Sequence, residues 1–289
     1  MKKNLPYILI IIIFLAGAAI FLYPVAADMI YQQNGSRAIA GHEEKIEKMN
    51  TEEIASVLDA ARRYNKSLAD NAAVLTEPFG TDALPVTDRD SGKMPDSGEV
   101  PGYEELLACD EIMACIEVPS IDVKLPVFHG TGEEALEKGA GHLENTSLPI
   151  GGKDTHTVIS AHSGLPSARL FTDLTSVREG DVFKIHVLDR VLYYEVYDID
   201  VVLPDDTSSL MIEKGRDLAT LVTCTPYGSN THRLLVHGER TGKPEKAAVV
   251  NAGGHPSMNW EKAAGAAAIV LAAVFIMLIM AGLFRRRNH

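Results

Sequence analysis

Basic residues are scarce in this chain. It has 27 lysines and arginines against 39 aspartates and glutamates, a net charge of −12 at pH 7. Part of this small basic complement stands at the two ends, in Lys2, Lys3 and residues 285–287, so the region between them is more acidic still. An acidic surface repels polyanions, which argues against nucleic acid and against an anionic lipid surface as general partners.

Cysteine is also rare. The chain has three cysteines, so they cannot all pair with one another. Cys109 and Cys115 lie close together, and they are either a disulfide in an oxidising compartment or two buried thiols. In both cases Cys224 is the odd thiol, and it needs an explanation of its own.

Charge is absent from two long apolar runs, residues 5–27 and residues 263–284. Each exceeds the roughly 20 residues that a helix needs to cross a bilayer. We interpret the first as an uncleaved anchor, with a cleaved signal peptide as the alternative. We interpret the second as a true span rather than a lipid-anchor tail, because residues 285–287 are all arginine. Since basic residues prefer the cytoplasmic side, both termini are predicted to lie inside and residues 28–262 outside.

The region between the apolar runs changes character along its length. Residues 50–68 repeat apolar side chains at helical spacing after a capping residue, Asn50 or Thr51, and residues 42–49 predict an earlier helical piece. Residues 81–102 are rich in Pro, Gly, Asp and Ser and predict an exposed loop. Beyond residue 112, short apolar or alternating segments separated by turn residues predict strands over residues 112–118, 124–128, 155–161, 182–187, 191–202, 219–224 and 233–237. Two short helices fit at residues 133–138 and 168–177. Many short strands with few helices indicate a closed barrel or a sandwich.

The last two predicted strands carry the residues with the clearest chemical potential, Cys224 and Arg233. If these strands are antiparallel neighbours, the thiol at the end of one lies beside the guanidinium at the start of the next. A nearby positive charge favours the nucleophilic thiolate, and a guanidinium can donate hydrogen bonds to an oxyanion. The alternative is a buried cysteine and an arginine at a strand edge.

A nucleophilic cysteine also needs a proton donor for its leaving group. His162 is the best placed of the histidines, because it ends an apolar strand and begins a turn. His142 and His237 are further candidates. Spacing alone does not choose among them.

The segment TLVTCTPYGSNTHRLLVHGER resembles the TLxTC…R signature of the sortases, membrane-anchored cysteine transpeptidases of Gram-positive bacteria. The likeness extends over residues 103–240 and is greatest to class C, the pilin-polymerising sortases. It implies a mainly β fold, with a closed barrel of about eight strands, short helices, an N-terminal helical arm with a lid, and a transmembrane helix at each end. It also implies that His162, Cys224 and Arg233 are the catalytic residues, with no metal or organic cofactor.

The resemblance also implies a substrate and a cellular setting. A class C sortase cleaves an LPxTG-like signal between Thr and Gly and joins the acyl group to a lysine amine of the next pilin. The partners are then pilins or surface proteins with LPxTG-like signals, and the membrane. The alternatives are a housekeeping sortase that anchors proteins to the cell wall, a hydrolytic cysteine peptidase, and a non-enzymatic anchored adhesin or receptor.

Class C members carry a lid with an Asp-Pro-aromatic motif, and residues 75–79 (LTEPF) match it, with Glu77 in place of the usual aspartate and Phe79 as the aromatic residue. Glu77, Phe79 and Thr223 are the predicted substrate-binding or lid residues. Ser163 follows the matched histidine where relatives often have a basic residue. The predicted domains are an anchor at 1–27, the arm and lid at 28–102, the barrel at 103–242, a polar tether at 243–262, and the second transmembrane helix with its basic tail at 263–289.

Overall fold

The computed structural model describes residues 5–70, 75, 102–165 and 168–243. Its first helix, α1 (Leu5–Lys48), has 44 residues and contains Pro24. It is long and apolar enough to cross a membrane. The predicted piece at residues 42–49 is the end of this helix and not a separate element. The predicted C-terminal span, Glu77 and Phe79 lie outside the described residues.

The second helix, α2 (Thr51–Asp70), begins at a capping box. The Asn50 side-chain oxygen accepts hydrogen bonds from the backbone N–H of Glu52 and Glu53, and the Glu53 carboxylate accepts one from the Asn50 N–H. These contacts satisfy backbone donors that a helix start otherwise leaves unpaired. The predicted cap at Asn50 is therefore confirmed.

Eight strands follow, together with α3 (Glu133–Lys138). The strands are β1 (Ala114–Val118), β2 (Val123–His129), β3 (Ala140–His142), β4 (Thr155–Ser160), β5 (Val182–Val187), β6 (Arg190–Val202), β7 (Asp217–Thr225) and β8 (His232–Thr241). They form one closed barrel in the order β1-β2-β3-β4-β7-β8-β6-β5. The predicted closed barrel of about eight strands is confirmed.

The sequence patterns and the structure differ at two elements. β3 was not predicted, because it has only three residues and shows no alternation; it forms by pairing with β2 on one side and β4 on the other. The helix predicted over residues 168–177 is wrong. The structure has a short 3₁₀ helix, Thr172–Ser176, in its place.

The barrel interior is filled by alternate residues of the strands. On β7 and β8 these inward residues include Ala219, Leu221, Leu234 and Val236, all nearly or fully buried. The intervening residues point to the outer face, where a second apolar cluster contains Val222 and Leu235. Residues directly opposite in an antiparallel pair share a face, so the outward side chains of β7 and β8 form one continuous surface.

Both N-terminal helices are fastened to the barrel by polar contacts. The Asn65 side chain of α2 accepts a hydrogen bond from the Leu148 N–H and donates one to the Leu148 carbonyl oxygen. On α1, His42 Nδ1 and Lys45 Nζ lie 2.9 and 3.2 Å from the two carboxylate oxygens of Asp110. Since these are paired groups at partly buried positions, they fix the orientation of each helix as well as adding stability.

Cys109 and Cys115 are separate thiols, which decides between the two alternatives for them. Cys115 is buried in β1, and burial raises the pKa of its thiol to about 12. Cys109 is half-buried, with its Sγ 3.6 Å from the Met49 sulfur. Neither is part of the outer cluster that contains Cys224.

Candidate active site

Cys224 and Arg233 are directly opposite each other in the antiparallel pairing of β7 and β8. The thiol and the guanidinium therefore share the outer face of the sheet. Arg233 is only 5% exposed. Its Nη1 donates hydrogen bonds of 3.1 Å to the carbonyl oxygens of Asn230 and His232, so the β7–β8 loop holds the orientation of the guanidinium.

The surroundings of Cys224 are apolar. Its half-buried side chain packs against a cluster on the outer face of the barrel, which includes Leu136 of α3 and Leu210 of the β6–β7 connection. The other buried members are Leu143, Val158, Val222 and Leu235. The thiol is thus placed where α3 and a loop pack beside it and reduce its contact with water.

His162 follows the end of β4, the parallel neighbour of β7 on the side away from β8. The β4–β7 pairing ends with Ser160 beside Val222, and the Ala161 N–H continues it by donating to the Val222 carbonyl oxygen over 3.1 Å. His162 is two residues beyond Ser160, as Cys224 is beyond Val222. The three strand ends therefore bring His162, Cys224 and Arg233 to the same end of the barrel, with the cysteine on the middle strand.

Two hydroxyl groups tie the ends of β4 and β7 together. Ser163 Oγ donates to the Cys224 carbonyl oxygen over 2.7 Å, and Thr223 Oγ1 donates to the Ala161 carbonyl oxygen over 2.8 Å. Thr223, a predicted substrate-binding or lid residue, is buried beneath the site as one of these ties. Ser163 was noted in the sequence only as a departure from relatives. Nothing in the sequence shows that its hydroxyl reaches the strand that carries Cys224.

The charge state of His162 depends on two opposing effects. Burial lowers the pKa of its imidazole below the ordinary value of 6.5, while the carboxylates of Glu137 and Glu133 raise it. Both glutamates belong to α3, the helix that also supplies Leu136 to the apolar cluster. Sequence reasoning missed these glutamates, because residues 133–138 carry no motif beyond a short helical pattern.

The other candidate histidines have structural positions. His142 is fully buried, and its ring nitrogens lie within hydrogen-bond distance of the Tyr103 hydroxyl and the Ser147 carbonyl oxygen. His237 is opposite Thr220, and its Nδ1 lies 2.8 Å from the Thr220 hydroxyl. Thr220 is four residues before Cys224, about 13 Å along the strand. The structure therefore places neither His142 nor His237 at the end of the barrel where Cys224 and Arg233 pair.

An aromatic side chain borders the site. Tyr227, in the β7–β8 loop, is 72% exposed, and its ring lies against Gly164. Gly164 has a φ of +78°, and a Cβ there would come within 2.8 Å of the tyrosine ring. Both the backbone conformation and the close approach require glycine at this position. The turn after His162 is thus shaped so that Tyr227 covers it.

A thiol beside a guanidinium, with an imidazole on the neighbouring strand, can carry out acyl transfer. The thiol supplies a nucleophile, the guanidinium supplies fixed hydrogen-bond donors for an oxyanion, and the imidazole supplies proton transfer. Within the described ranges, no group of three or more His, Cys, Asp or Glu side chains could hold a metal ion.

Several known proteins are similar to this chain in sequence and in fold. The sortase domain profile matches residues 116–241. The crystal structure of sortase C-1 from Actinomyces oris is 43% identical, with a TM-score of 0.59, and the match covers 66% of this chain and 99% of that one. This chain belongs to the sortase family.

The pilus-related sortase C of Group B Streptococcus is similar to this sortase at 42% identity, with a TM-score of 0.61, over 70% of this chain and 95% of that one. Sortase A of Streptococcus agalactiae is 32% identical over 133 residues, which cover 44% of this sortase and 52% of that protein's length. This sortase therefore spans about half the length of that relative.

Proposed function

We infer that this sortase is a membrane-anchored, extracellular cysteine transpeptidase of the pilin-polymerising class. The observation that carries the proposal is the register of the three strand ends, which puts Cys224 opposite Arg233 and beside the β4 end that bears His162. The similarity to a pilus-related sortase C supports the choice of class.

In the first half of the reaction, Cys224 attacks the threonine carbonyl carbon of an LPxTG-like signal. Arg233 donates hydrogen bonds to the oxyanion that forms on the carbonyl oxygen. The bond between the threonine carbonyl carbon and the glycine nitrogen breaks, and His162 gives its proton to the leaving amine. The product is a thioester on Cys224 and a released glycine-containing fragment.

In the second half, a lysine amine of the next pilin attacks the thioester. The amine proton returns to His162, the sulfur leaves as a thiolate, and an isopeptide bond joins the two pilins. The apolar cluster around Cys224 favours this outcome over hydrolysis, because it limits the water available to compete with the amine. No redox partner, metal or organic cofactor takes part in either half.

The lowered pKa of His162 has a consequence for this scheme. At neutral pH most of the imidazole is neutral, so a minority of molecules hold the protonated histidine that the leaving amine needs. The carboxylates of Glu133 and Glu137 increase that minority by stabilising the imidazolium. We assign these two glutamates a positioning and tuning role rather than a catalytic one.

A lid over the site is part of the proposal. α2 ends at Asp70, and Leu75, five residues later, packs against the same apolar cluster as Cys224. The chain therefore passes over the outer face of the barrel just before Glu77 and Phe79. Phe79 would then cover the thiol and protect it from oxidation, at the cost of lower basal activity. Glu77 would hold the lid closed.

The anchoring of the enzyme follows from α1. This helix is the candidate membrane span of the described chain, and its C-terminal part contacts Asp110, just before the barrel, through His42 and Lys45. We propose that residues 263–284 form a second span, so that both termini lie in the cytoplasm. The catalytic barrel would then lie on the outer side of the membrane.

The test is intact-mass spectrometry of the full chain in detergent micelles after incubation with a pilin that carries an LPxTG-like signal. Phe79→Ala removes the proposed lid, and Cys224→Ala is the control. A pilin adduct on the enzyme or pilin–pilin products, both lost in Cys224→Ala, would support the transpeptidase. Cleaved pilin without either would favour a hydrolytic peptidase, and transfer only to cell-wall peptide amines would favour a housekeeping sortase. No reaction from Phe79→Ala would contradict all three.

A further inference from the structure

A cavity lies at the end of the barrel opposite Cys224. It is open, has a volume of about 520 Å³, and includes Asp217 at the start of β7. Asp217 and Cys224 are seven residues apart on one strand, which is about 23 Å. The cavity is therefore separate from the proposed catalytic site.

Three arginines from three different elements line this cavity: Arg62 of α2, Arg190 at the start of β6, and Arg240 near the end of β8. All three are exposed. Their convergence is notable in a chain whose net charge is −12. The acidic surface elsewhere repels anions, so any anion held here must be held by direct contact.

Of the three guanidinium groups, that of Arg190 has a close carboxylate, and the other two form no ion pair among the described residues. Within the described part of the chain, Arg62 has no ion pair, and Arg240 lies over the Tyr194 ring, 5.7 Å from its centroid. The Arg190 Nε lies 3.6 Å from Oδ1 of its neighbour Asp189, and both side chains are exposed. By contrast, Arg63, adjacent to Arg62, forms an ion pair with Asp59.

The one carboxylate in the lining, Asp217, forms part of the floor of the cavity, and both of its oxygens accept hydrogen bonds. Its Oδ2 accepts a hydrogen bond of 2.7 Å from the Gly152 N–H, and its Oδ1 accepts one of 3.0 Å from the Tyr194 hydroxyl. Gly151 approaches so closely that a Cβ there would lie 3.1 Å from Asp217 Oδ2. The floor is thus preformed, and three positive charges face a single negative one.

We propose that this cavity binds a phosphodiester group. Guanidinium forks from three directions match the several acceptor positions of a tetrahedral phosphate better than the two oxygens of a planar carboxylate. Two carboxylates, Asp217 in the lining and Asp189 beside Arg190, offset two of the three guanidinium charges, so the cavity matches a singly charged phosphodiester better than a doubly charged phosphate monoester. The group belongs either to a lipid headgroup or to a soluble or polymeric glycerophosphodiester, since the cavity would contact the same atoms in both.

The test is isothermal titration calorimetry of the full chain in non-ionic detergent with glycerophosphoglycerol, a soluble phosphodiester. We expect saturable binding that weakens at least about tenfold in each of Arg62→Gln, Arg190→Gln and Arg240→Gln, because each loses charge-assisted hydrogen bonds. Arg63→Gln, the neighbouring arginine with its own partner, should bind as the unmodified chain does. Asp217→Asn should bind more tightly, because a repelling charge is removed.

The same titration with acetate tests the chemical class. Equal affinity for acetate, no saturable binding of glycerophosphoglycerol, or an equal loss in Arg63→Gln would overturn the proposal. Mixed micelles with phosphatidylglycerol or phosphatidylcholine identify the source. Tighter binding to phosphatidylglycerol assigns a lipid headgroup, and binding of the soluble compound alone assigns a soluble or polymeric phosphodiester. Both results support the site.

Discussion

At the scale of single residues, two hydroxyl side chains hold the strand ends that carry the candidate site. Ser163 and Thr223 join the end of β4 to the end of β7 by two hydrogen bonds from hydroxyl to backbone oxygen. The relative position of His162 and Cys224 is set by these ends, because the two residues lie beyond the regular pairing of the strands. Small displacements of reacting groups are costly in catalysis. We therefore expect the ties to affect the rate of the reaction as well as the stability of the fold.

Ser163→Ala should lower the rate of thioester formation. The change leaves the Cys224 carbonyl oxygen without the Ser163 donor, and a hydrogen bond of this kind is worth about 0.5–1.5 kcal/mol, a roughly two- to tenfold effect. The loss should fall on kcat, with KM nearly unchanged, because the tie positions the reacting groups. Steady-state kinetics with an LPxTG-like peptide measure both constants.

Thr157→Val is the matched control for this variant. Thr157 is buried on β4, and its hydroxyl has no hydrogen-bond partner among the described residues, so its removal costs little. An unchanged kcat in Ser163→Ala would contradict the positioning role. A fall in both variants would indicate a general loss of β4 packing.

Glu137→Gln should change the pH profile of the enzyme. The Glu137 carboxylate raises the pKa of His162, so its removal lowers that pKa. The inflection of the kcat/KM profile that reports the titration of His162 should then move to lower pH, because the histidine loses its proton at a lower pH. The plateau should fall roughly two- to fivefold, since fewer molecules hold the imidazolium, and exposed charges act with energies of this size.

The control for the pH profile is Glu134→Gln. Glu134 is on the same helix, but its carboxylate is paired with Lys138 and is not among the groups that shift His162. If Glu137→Gln and Glu134→Gln gave the same profile as the unmodified enzyme, the α3 carboxylates would have no part in setting the histidine.

At the scale of elements, we expect the segment after α2 to control how accessible the Cys224 thiol is. Leu75 packs on the apolar cluster that contains Cys224, so the proposed lid begins at a contact that the structure shows. Phe79→Ala should therefore increase the rate at which iodoacetamide alkylates Cys224. Peptide mass mapping measures the alkylation of Cys224 separately from that of Cys109, which is also a half-buried free thiol.

Val201→Ala is the comparison for the lid variant. Val201 is an apolar residue of β6 that is already 59% exposed, and its truncation should leave the alkylation rate of Cys224 unchanged. The lid proposal would be wrong if Phe79→Ala and the unmodified chain reacted at the same rate.

Elements with a regular pattern could be predicted from the sequence, and those created by pairing could not. α3 has the predicted bounds, and β5 and β6 were found to within one residue because their apolar residues alternate. β3 has three residues and exists because β2 and β4 offer partners on both sides. The segment 168–177 contains helix-forming residues, but the structure forms only a short 3₁₀ turn there. Tertiary contacts override local preference in both cases.

At the scale of the whole molecule, the strand pattern left a closed barrel and a sandwich both open, and the closed barrel was predicted from the family resemblance. The strand order was not predicted. Cys224 and Arg233 lie on consecutive strands, so their proximity could be predicted from the sequence. The pairing of β4 with β7 joins segments about sixty residues apart, such as Ser160 and Val222, and no local pattern indicates it. His162 was therefore chosen by resemblance, and the parallel pairing supplies the physical reason for its place beside Cys224.

The fold should lose stability in acid. Burial lowers the pKa of both His142 and His156 to about 4, whereas in the unfolded chain both have a pKa near 6.5. The unfolded chain thus binds more protons as pH falls from about 6.5 to about 4, so the free energy of unfolding decreases across that window. Each histidine contributes up to about 3 kcal/mol of this loss. Thermal unfolding followed by circular dichroism at pH 7, 6, 5 and 4 measures it.

His156→Gln should be less stable than the unmodified chain at pH 7, because the hydrogen bonds to the Met211 carbonyl oxygen and the Thr220 hydroxyl are altered. Its stability should nevertheless fall less steeply in acid, because one buried imidazole is gone. His232→Gln, at a partly exposed position, is the control and should keep the full slope. Identical slopes in all three proteins would exclude the buried histidines as the cause.

On the proposed anchoring, the length of α1 would set the distance between the barrel and the bilayer. The helix is about 66 Å long, and an apolar core of about 30 Å takes up less than half of it. Asp28 Oδ1, just past the apolar run, accepts a hydrogen bond from the Arg169 N–H. His42, which contacts Asp110, is fourteen residues further along the same helix, about 21 Å away. An enzyme held at two points on a stiff stalk cannot swing outward as one on a loose tether does. On the proposed anchoring and function, its working volume would be a thin layer at the lipid surface, and pilins would be joined at that height before the growing polymer is pushed away from the cell.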